Sequence, residues 1–231
     1  MFDDTQRLII VTAHPDDLET ICGGSVALLA RRGVAIMQVL CTSGNIGTQD
    51  PIRFTRESLA ASRQAETLAA ARVLGIQETV FLGRNDGELV ADLPLRAEIA
   101  GLYRRFQPDT LWTFDPWWPG QAHPDHRAAG RAAIDAYMPA KMPLYHPEQL
   151  TDGIQVNTAL NKVYLFGGTV NDDLFADVTG VWDIKIAAVR EHTSQFGDGA
   201  EAIEWLEKWG SEIGERAGVR YAEAFRKMEV W

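Results

Sequence analysis

The stretch Leu8-Ile9-Ile10-Val11-Thr12-Ala13-His14-Pro15-Asp16-Asp17 decides how the rest of the chain is read. Its first six residues are a short, continuous apolar run rich in β-branched side chains, the pattern of a strand buried on both faces. After the polar break, Glu19 to Arg32 is small, apolar and helix-compatible. It ends at Gly33 with two arginines in its last turn, where cations and a left-handed glycine both favour a helix stop. Val34 to Cys41 is again strand-like. A strand, helix, strand unit of this length predicts parallel pairing with a right-handed crossover.

The same alternation continues outward. A long Ala-rich helix is predicted from about Thr55 to Leu74, closed by Gly75, followed by a strand near Thr79 to Leu82 and a helix from about Pro94 to Phe106. Asp109 to Phe114 reads as a fourth strand, followed by a loop rich in Pro, Trp and Gly and a helix from about Pro124 to Tyr137. Met138 to Asn161 is Pro-rich with weak periodicity. A strand near Lys162 to Phe166 and helices at roughly Trp182 to His192 and Ala200 to Gly210 complete the series. The expected fold class is α/β: a Rossmann-like three-layer sandwich around a mostly parallel sheet, in one domain spanning residues 1–231.

The 231 residues are 46% hydrophobic and 23% charged, which suits one generous globular core. A formal net charge of −10 argues against nucleic acid or an anionic membrane surface as partner, because both repel an acidic protein. The N-terminus is acidic rather than basic, and the longest mostly apolar run, Thr20 to Ala30, is shorter than the roughly 20 residues that span a bilayer. Cys22 and Cys41 fall in predicted helix and strand and suit a reducing compartment. The expectation is a cytoplasmic protein with a small-molecule substrate and no stable membrane insertion; homo-oligomerisation stays open.

In open parallel sheets, ligands bind outside the carboxyl ends of the strands, so the loops after strands carry the chemistry. Ala13 to Glu19 follows the first strand, and His123-Pro124-Asp125-His126 follows the fourth. Together they hold three of the chain's five histidines. One His and one Asp from the first loop with one His from the second make a three-ligand site that leaves a position free for water. His14 and Asp17 are three apart and can face the same way at a helix entrance, which assigns His14, Asp17 and His126 to the metal. Asp16, turned away from them, is the candidate base for a water activated by the metal. His123, if protonated, is placed to hydrogen-bond the oxyanion of an amide-hydrolysis intermediate, and Asp125 to orient a neighbouring histidine. Either His-Pro-Asp alone reads equally as a helix-capping turn; two at equivalent junctions favour a site.

These residues resemble the LmbE-like, or PIG-L-like, de-N-acetylase family, whose signatures are Ala-His-Pro-Asp-Asp followed by Glu and a later His-Pro-Asp-His. The likeness extends through Gly23-Gly24, Arg63-Gln-Ala-Glu66, Leu74-Gly75, Phe81-Leu-Gly83, Asp86-Gly87, Pro108-Asp109, Asp115-Pro116, Lys185 and His192-Thr-Ser-Gln195. The resemblance implies one Zn2+ per chain held by His14, Asp17 and His126, with Asp16 as base and His123 as acid. The activity implied is removal of an N-acetyl group from an N-acetylglucosamine-type amino-sugar derivative. Ligand type also admits Fe2+ or Co2+. The alternative is an amidase of a thiol-conjugate or other small-molecule amide using the same metal site.

The resemblance further implicates Arg63 and Asp86 in gripping sugar hydroxyls and His192 in lining the pocket. Each has a structural reading beside it: Arg63 pairing with Glu57 or Glu66 on a helix surface, Asp86 as the Asp of an Asp-Gly turn, His192 at a helix C-terminus. Where some relatives carry a tyrosine just before the second motif, this chain has Trp117-Trp118-Pro119-Gly120-Gln121-Ala122. Trp118 is therefore a candidate sugar-stacking residue, or alternatively a core plug. Met138 to Gln155 is expected to decide substrate identity.

Overall fold

The computed structural model describes residues 2–167 and 172–230. The opening run forms β1 (Arg7–Thr12) and leads into α1 (Asp17–Arg31), β2 (Ala35–Thr42), α2 (Arg56–Leu74), β3 (Glu78–Arg84), α3 (Leu93–Phe106) and β4 (Thr110–Phe114). Then come α4 (Pro124–Asp135), α5 (Tyr137–Lys141), β5 (Lys162–Phe166), β6 (Leu174–Asp177), α6 (Trp182–Arg190), α7 (Thr193–Phe196), α8 (Ala200–Ala217) and β7 (Ala222–Met228). Local chemistry sets several of these ends. Thr55 and Ser58 form a reciprocal capping box at the start of α2, and Gly75, at φ 81°, closes it in the left-handed conformation that glycine adopts without steric cost.

The strands form one seven-stranded sheet in the order β3-β2-β1-β4-β5-β7-β6. The first five in that order run parallel, and β7 pairs antiparallel with both β5 and β6. Right-handed crossovers put α1 and α2 on one face, where α6 joins them, and α3, α4 and α5 on the other. Leu8 to Val11 and Leu111 to Phe114 are buried between the layers. The order reverses between β1 and β4, so the crevice outside their carboxyl ends is the topological switch point, where doubly wound sheets bind ligands. Both His-Pro-Asp loops open there. Among the described residues no helix is long and apolar enough to cross a membrane.

The structure departs from the sequence expectations in three places. The sheet gains β6 and β7, because antiparallel pairing buries a segment, Ala222 to Met228, whose Ala, Glu and Lys have little strand preference of their own. Helix α8 runs past Gly210 to Ala217. Gly210 is there for close approach rather than as a stop, since a Cβ on it would lie 2.4 Å from the Trp182 ring.

The third departure concerns Met138 to Gln155, the stretch expected to decide substrate identity. It lies at the amino end of the sheet, opposite the two loops. Gln107 Nε2 donates to Gln155 O, and Asn157, just beyond the stretch, donates to the carbonyls of Tyr103 and Pro108, immediately before β4. Arg104 organises this stretch from the end of α3. Its guanidinium is buried and donates to the carbonyls of Pro139, Met142, Tyr145 and His146 and to Gln149 Oε1 at 2.6–3.1 Å. Helix α4 starts at the switch point and runs back along the sheet, carrying the chain away from it.

Candidate metal centre

Between β1 and α1 the backbone turns at Asp16, which takes a left-handed conformation at φ 95°. This is costly for a residue with a Cβ, and such strain collects at functional sites. Asp17 locks the turn: its Oδ2 accepts the N–H groups of Ala13 at 3.1 Å and His14 at 2.7 Å. Oδ1 is left pointing into the crevice, 3.1 Å from His126 Nε2. His14 Nδ1 lies 3.2 Å from the same His126 nitrogen and 3.5 Å from Asp17 Oδ2.

Ligands about 2.0–2.2 Å from a tetrahedral ion stand about 3.3–3.5 Å from one another. The separations among His14, Asp17 and His126, 3.1–3.5 Å, lie within a few tenths of an ångström of that spacing, and the donor set of two imidazoles and one carboxylate fits zinc with one position free. A nitrogen of His123 lies within 4.8 Å of the His14 and His126 nitrogens, at the rim of this group.

The outer nitrogens of both candidate ligands have acceptors. His14 Nε2 is 3.1 Å from Asp86 Oδ1 and 3.3 Å from Asp125 Oδ2. His126 Nδ1 is 3.2 Å from Gln121 Oε1, and its ring stacks on Phe114 with centroids 4.0 Å apart. With each N–H directed outward, each lone pair is directed inward, the arrangement that raises ligand basicity and fixes the rings. Asp125 is itself anchored, its two oxygens accepting the N–H groups of Gly87 at 2.7 Å and Leu89 at 3.2 Å.

The field of the site calls for positive charge. Burial works against a charged His14, yet Asp17 and Asp86 outweigh it and hold its pKa at about 11. Burial likewise opposes ionisation of Asp17, but the His126 and His14 rings beside it keep its carboxyl far below the usual carboxylate range. A divalent cation satisfies the same field. His123 goes the other way: burial, then the neighbouring His14 and His126, depress its pKa. Its Nδ1 accepts the Asp125 N–H at 3.2 Å, so the neutral ring carries its proton on Nε2. The protonated ring anticipated from sequence is not required for donation.

Asp16 is held by Arg63 rather than by His14 or His126. Its Oδ2 accepts from Arg63 Nη2 at 2.9 Å, and the same guanidinium donates to Pro15 O at 2.6 Å and Gly44 O at 3.0 Å. Burial raises the Asp16 pKa, Arg63 lowers it and Asp17 raises it again, leaving it at about 6. That value lies near the working pH of a general base.

The residues expected to grip substrate are placed as follows. Arg63 is buried against Asp16 rather than paired on a helix surface, and Asp86 is buried against His14. His192 is 1% exposed, its Nε2 3.4 Å from Glu19 Oε2, and Glu19 raises its pKa against the opposing effect of burial. Trp118 folds over Gly120, where a Cβ would lie 2.4 Å from its ring, and Trp117 is 49% exposed. Two participants carried no role in the sequence reading. Glu19 was visible in the first motif, but its pairing with the buried His192 was not. Gln121 stood in the loop with nothing in its spacing to tie it to His126.

Comparison with known proteins identifies the family and the fold. Residues 9–137 match the family model described as PIG-L, GlcNAc-PI de-N-acetylase. The chain is 30% identical to the diacetylchitobiose deacetylase of Thermococcus kodakarensis over 97% of its own length and 84% of that protein's. The structure of the N,N'-diacetylchitobiose deacetylase from Pyrococcus horikoshii superposes with a TM-score of 0.93 at 32% identity, covering 99% of this chain and 85% of the other. That of the 4-carboxy-2-hydroxymuconate hydratase GalB from Pseudomonas putida KT2440 superposes with a TM-score of 0.81 at 26% identity, covering 98% and 97%.

Proposed function

Because the chain belongs to the PIG-L family of GlcNAc-PI de-N-acetylases, we propose that it is a metal-dependent hydrolase that removes an N-acetyl group from an N-acetylglucosamine-type derivative. The observation that carries this reading is the convergence of His14 Nδ1, Asp17 Oδ1 and His126 Nε2 beside a carboxylate, Asp16, that takes no part in the convergence. When bound there, zinc supplies Lewis acidity that polarises the acyl carbonyl and acidifies water; Fe2+ or Co2+ suits the same donors.

The protein's own residues do the rest. Asp16, with Oδ2 held by Arg63, keeps Oδ1 for the proton of the attacking water. A pKa of about 6 leaves it ionised at neutral pH yet basic enough to accept that proton and return it to the leaving amine. His123 donates from Nε2 to the oxygen on which charge develops, as a preorganised oxyanion donor. Asp86, Asp125 and Gln121 keep the two ligand rings turned with their lone pairs inward. Arg63 and His192 act on Asp16 and Glu19 rather than as direct sugar contacts.

Metal analysis of the purified protein is expected to give one zinc-class ion per chain. The loaded enzyme is then expected to release acetate from a panel of N-acetylglucosamine, its phosphate, its malate and inositol conjugates, and diacetylchitobiose. The GalB likeness favours a second reading, in which the same water-activating site hydrates an unsaturated polycarboxylic acid. Fully loaded protein that releases no acetate or other acyl acid across the panel, but consumes such an acid, would replace the first reading with the second.

A further inference from the structure

Helix α1 is not one straight helix. Cys22, at φ −136° and ψ 16°, breaks it into a short first segment, Asp17 to Ile21, and a longer second one that starts at Gly23. The first segment carries the ligand Asp17, and Thr20 fastens it to the strained turn at Asp16. The Thr20 N–H donates to Asp16 O at 3.0 Å, and Thr20 Oγ1 lies 3.0 and 3.1 Å from the Asp16 and Asp17 carbonyl oxygens. The direction of this short segment therefore decides where Asp16 and Asp17 stand.

The break is held from outside the helix. In an unbroken helix the Gly24 and Ser25 N–H groups donate to the carbonyls of Thr20 and Ile21. Here they donate to the Glu223 carboxylate of β7, Gly24 to Oε1 at 2.9 Å and Ser25 to Oε2 at 2.7 Å. A side chain inserted into the ladder in this way bends a helix, and a carboxylate suits the positive end of the segment it caps. Lys185 of α6 donates to Glu223 Oε1 at 2.6 Å, and both side chains are only 2% exposed, so water cannot replace either partner. Gly24 permits the approach, since a Cβ there would lie 2.8 Å from Val178 Cβ, and the Lys185 stem lies over Gly23. Helix α6 packs along α1. His192, about two helical turns beyond Lys185, meets the first segment itself, its Nε2 3.4 Å from the buried Glu19.

We propose that Glu223, held by Lys185, is a positioning residue for the metal centre. By capping the second segment of α1 it fixes the bend at Cys22, and the bend aims the first segment so that Asp17 Oδ1 meets His126. Gly23, Gly24 and Lys185 thereby act on the site although none of them is a ligand or a base. The inference rests on the assignment of Asp17 and Asp16 above, and not on which amide is cleaved.

The test uses the full chain as wild type, Glu223→Gln, and Glu223→Gln combined with Lys185→Met, which leaves no unpaired buried charge. Glu223→Gln keeps the shape of the side chain and one acceptor, so it removes a cap rather than packing. Arg104→Met, at the opposite end of the sheet, is the control for stability loss alone. Each protein is measured for zinc affinity by competition with a chelating dye, for its visible absorption spectrum after cobalt loading, and for Tm. Zinc affinity is expected to fall at least about tenfold in both Glu223 variants, with a changed cobalt spectrum reporting altered ligand geometry. Arg104→Met should keep both at a comparable loss of Tm. Affinity and spectrum equal to wild type in the Glu223 variants would overturn the proposal. An equal loss of affinity in Arg104→Met would also overturn it, because general loosening would then account for the effect. If the Glu223 variants lose metal as expected while loaded wild type releases no acetate, the positioning role stands and the deacetylase reading falls.

Discussion

Arg63 reaches from the buried side of α2 to hold Asp16, its Nη2 2.9 Å from Oδ2, while Nη2 also donates to the Pro15 carbonyl and Nη1 to the Gly44 carbonyl. The base is thereby positioned by a cation that also lowers its pKa against the upward push of burial. The acidic limb of kcat/KM is expected near pH 6, because protonated Asp16 cannot accept a proton. Arg63→Met removes the lowering influence, so the limb should move to higher pH as well as the plateau falling. A pH–rate profile checks this; an unmoved limb would separate Arg63 from the base.

Asp16→Asn is expected to retain the metal and lose about 10²–10⁴-fold in kcat. His14→Ala and Asp17→Ala should lose the metal itself, as read by metal content after dialysis. Full activity in Asp16→Asn would reassign the base.

Linkage gives an independent reading of Asp16 in the metal-free protein. Its folded pKa, about 6, lies above its ordinary value of 3.8, so the fold favours the protonated form, and wild type loses stability as pH rises from about 4 to about 6. A shift of this size corresponds to at most about 3 kcal/mol. Metal-free Asp16→Asn should therefore melt above wild type at pH 8, the gap closing by pH 4.

Gln121 is the acceptor for the outer N–H of His126. Gln121→Leu is expected to weaken zinc affinity about 10–100-fold, measured by competition with a chelating dye, without unfolding the protein. Affinity equal to wild type would mean that Phe114 stacking alone fixes the ring.

Arg104→Met should lower thermal stability, because five carbonyl and amide acceptors lose a buried donor. Zinc affinity should stay within about twofold of wild type, since the Met138 to Gln155 stretch lies at the far end of the sheet. A change in affinity beyond that would connect the two ends.

Much of this was legible in the chain. The β-branched run at Leu8, the Gly75 stop of α2 and the alternation of strand and helix predict the parallel part of the sheet, because periodicity and helix stops act over a few residues. His14 and Asp17 could be paired from sequence because one turn brings them together, and the second motif supplied His126 by its chemistry.

What only the tertiary structure decided lies across large sequence separations. The pairing of β7 with β5 and β6, the turning of His126 Nδ1 to Gln121, the burial of Arg63 against Asp16 and the removal of Met138 to Gln155 to the opposite end each follow from which surfaces close on one another. Residue type and spacing fix which groups are available and how each short segment folds. Strand order and burial determine which of those groups meet, because long-range contacts are selected by the whole core rather than by any local pattern.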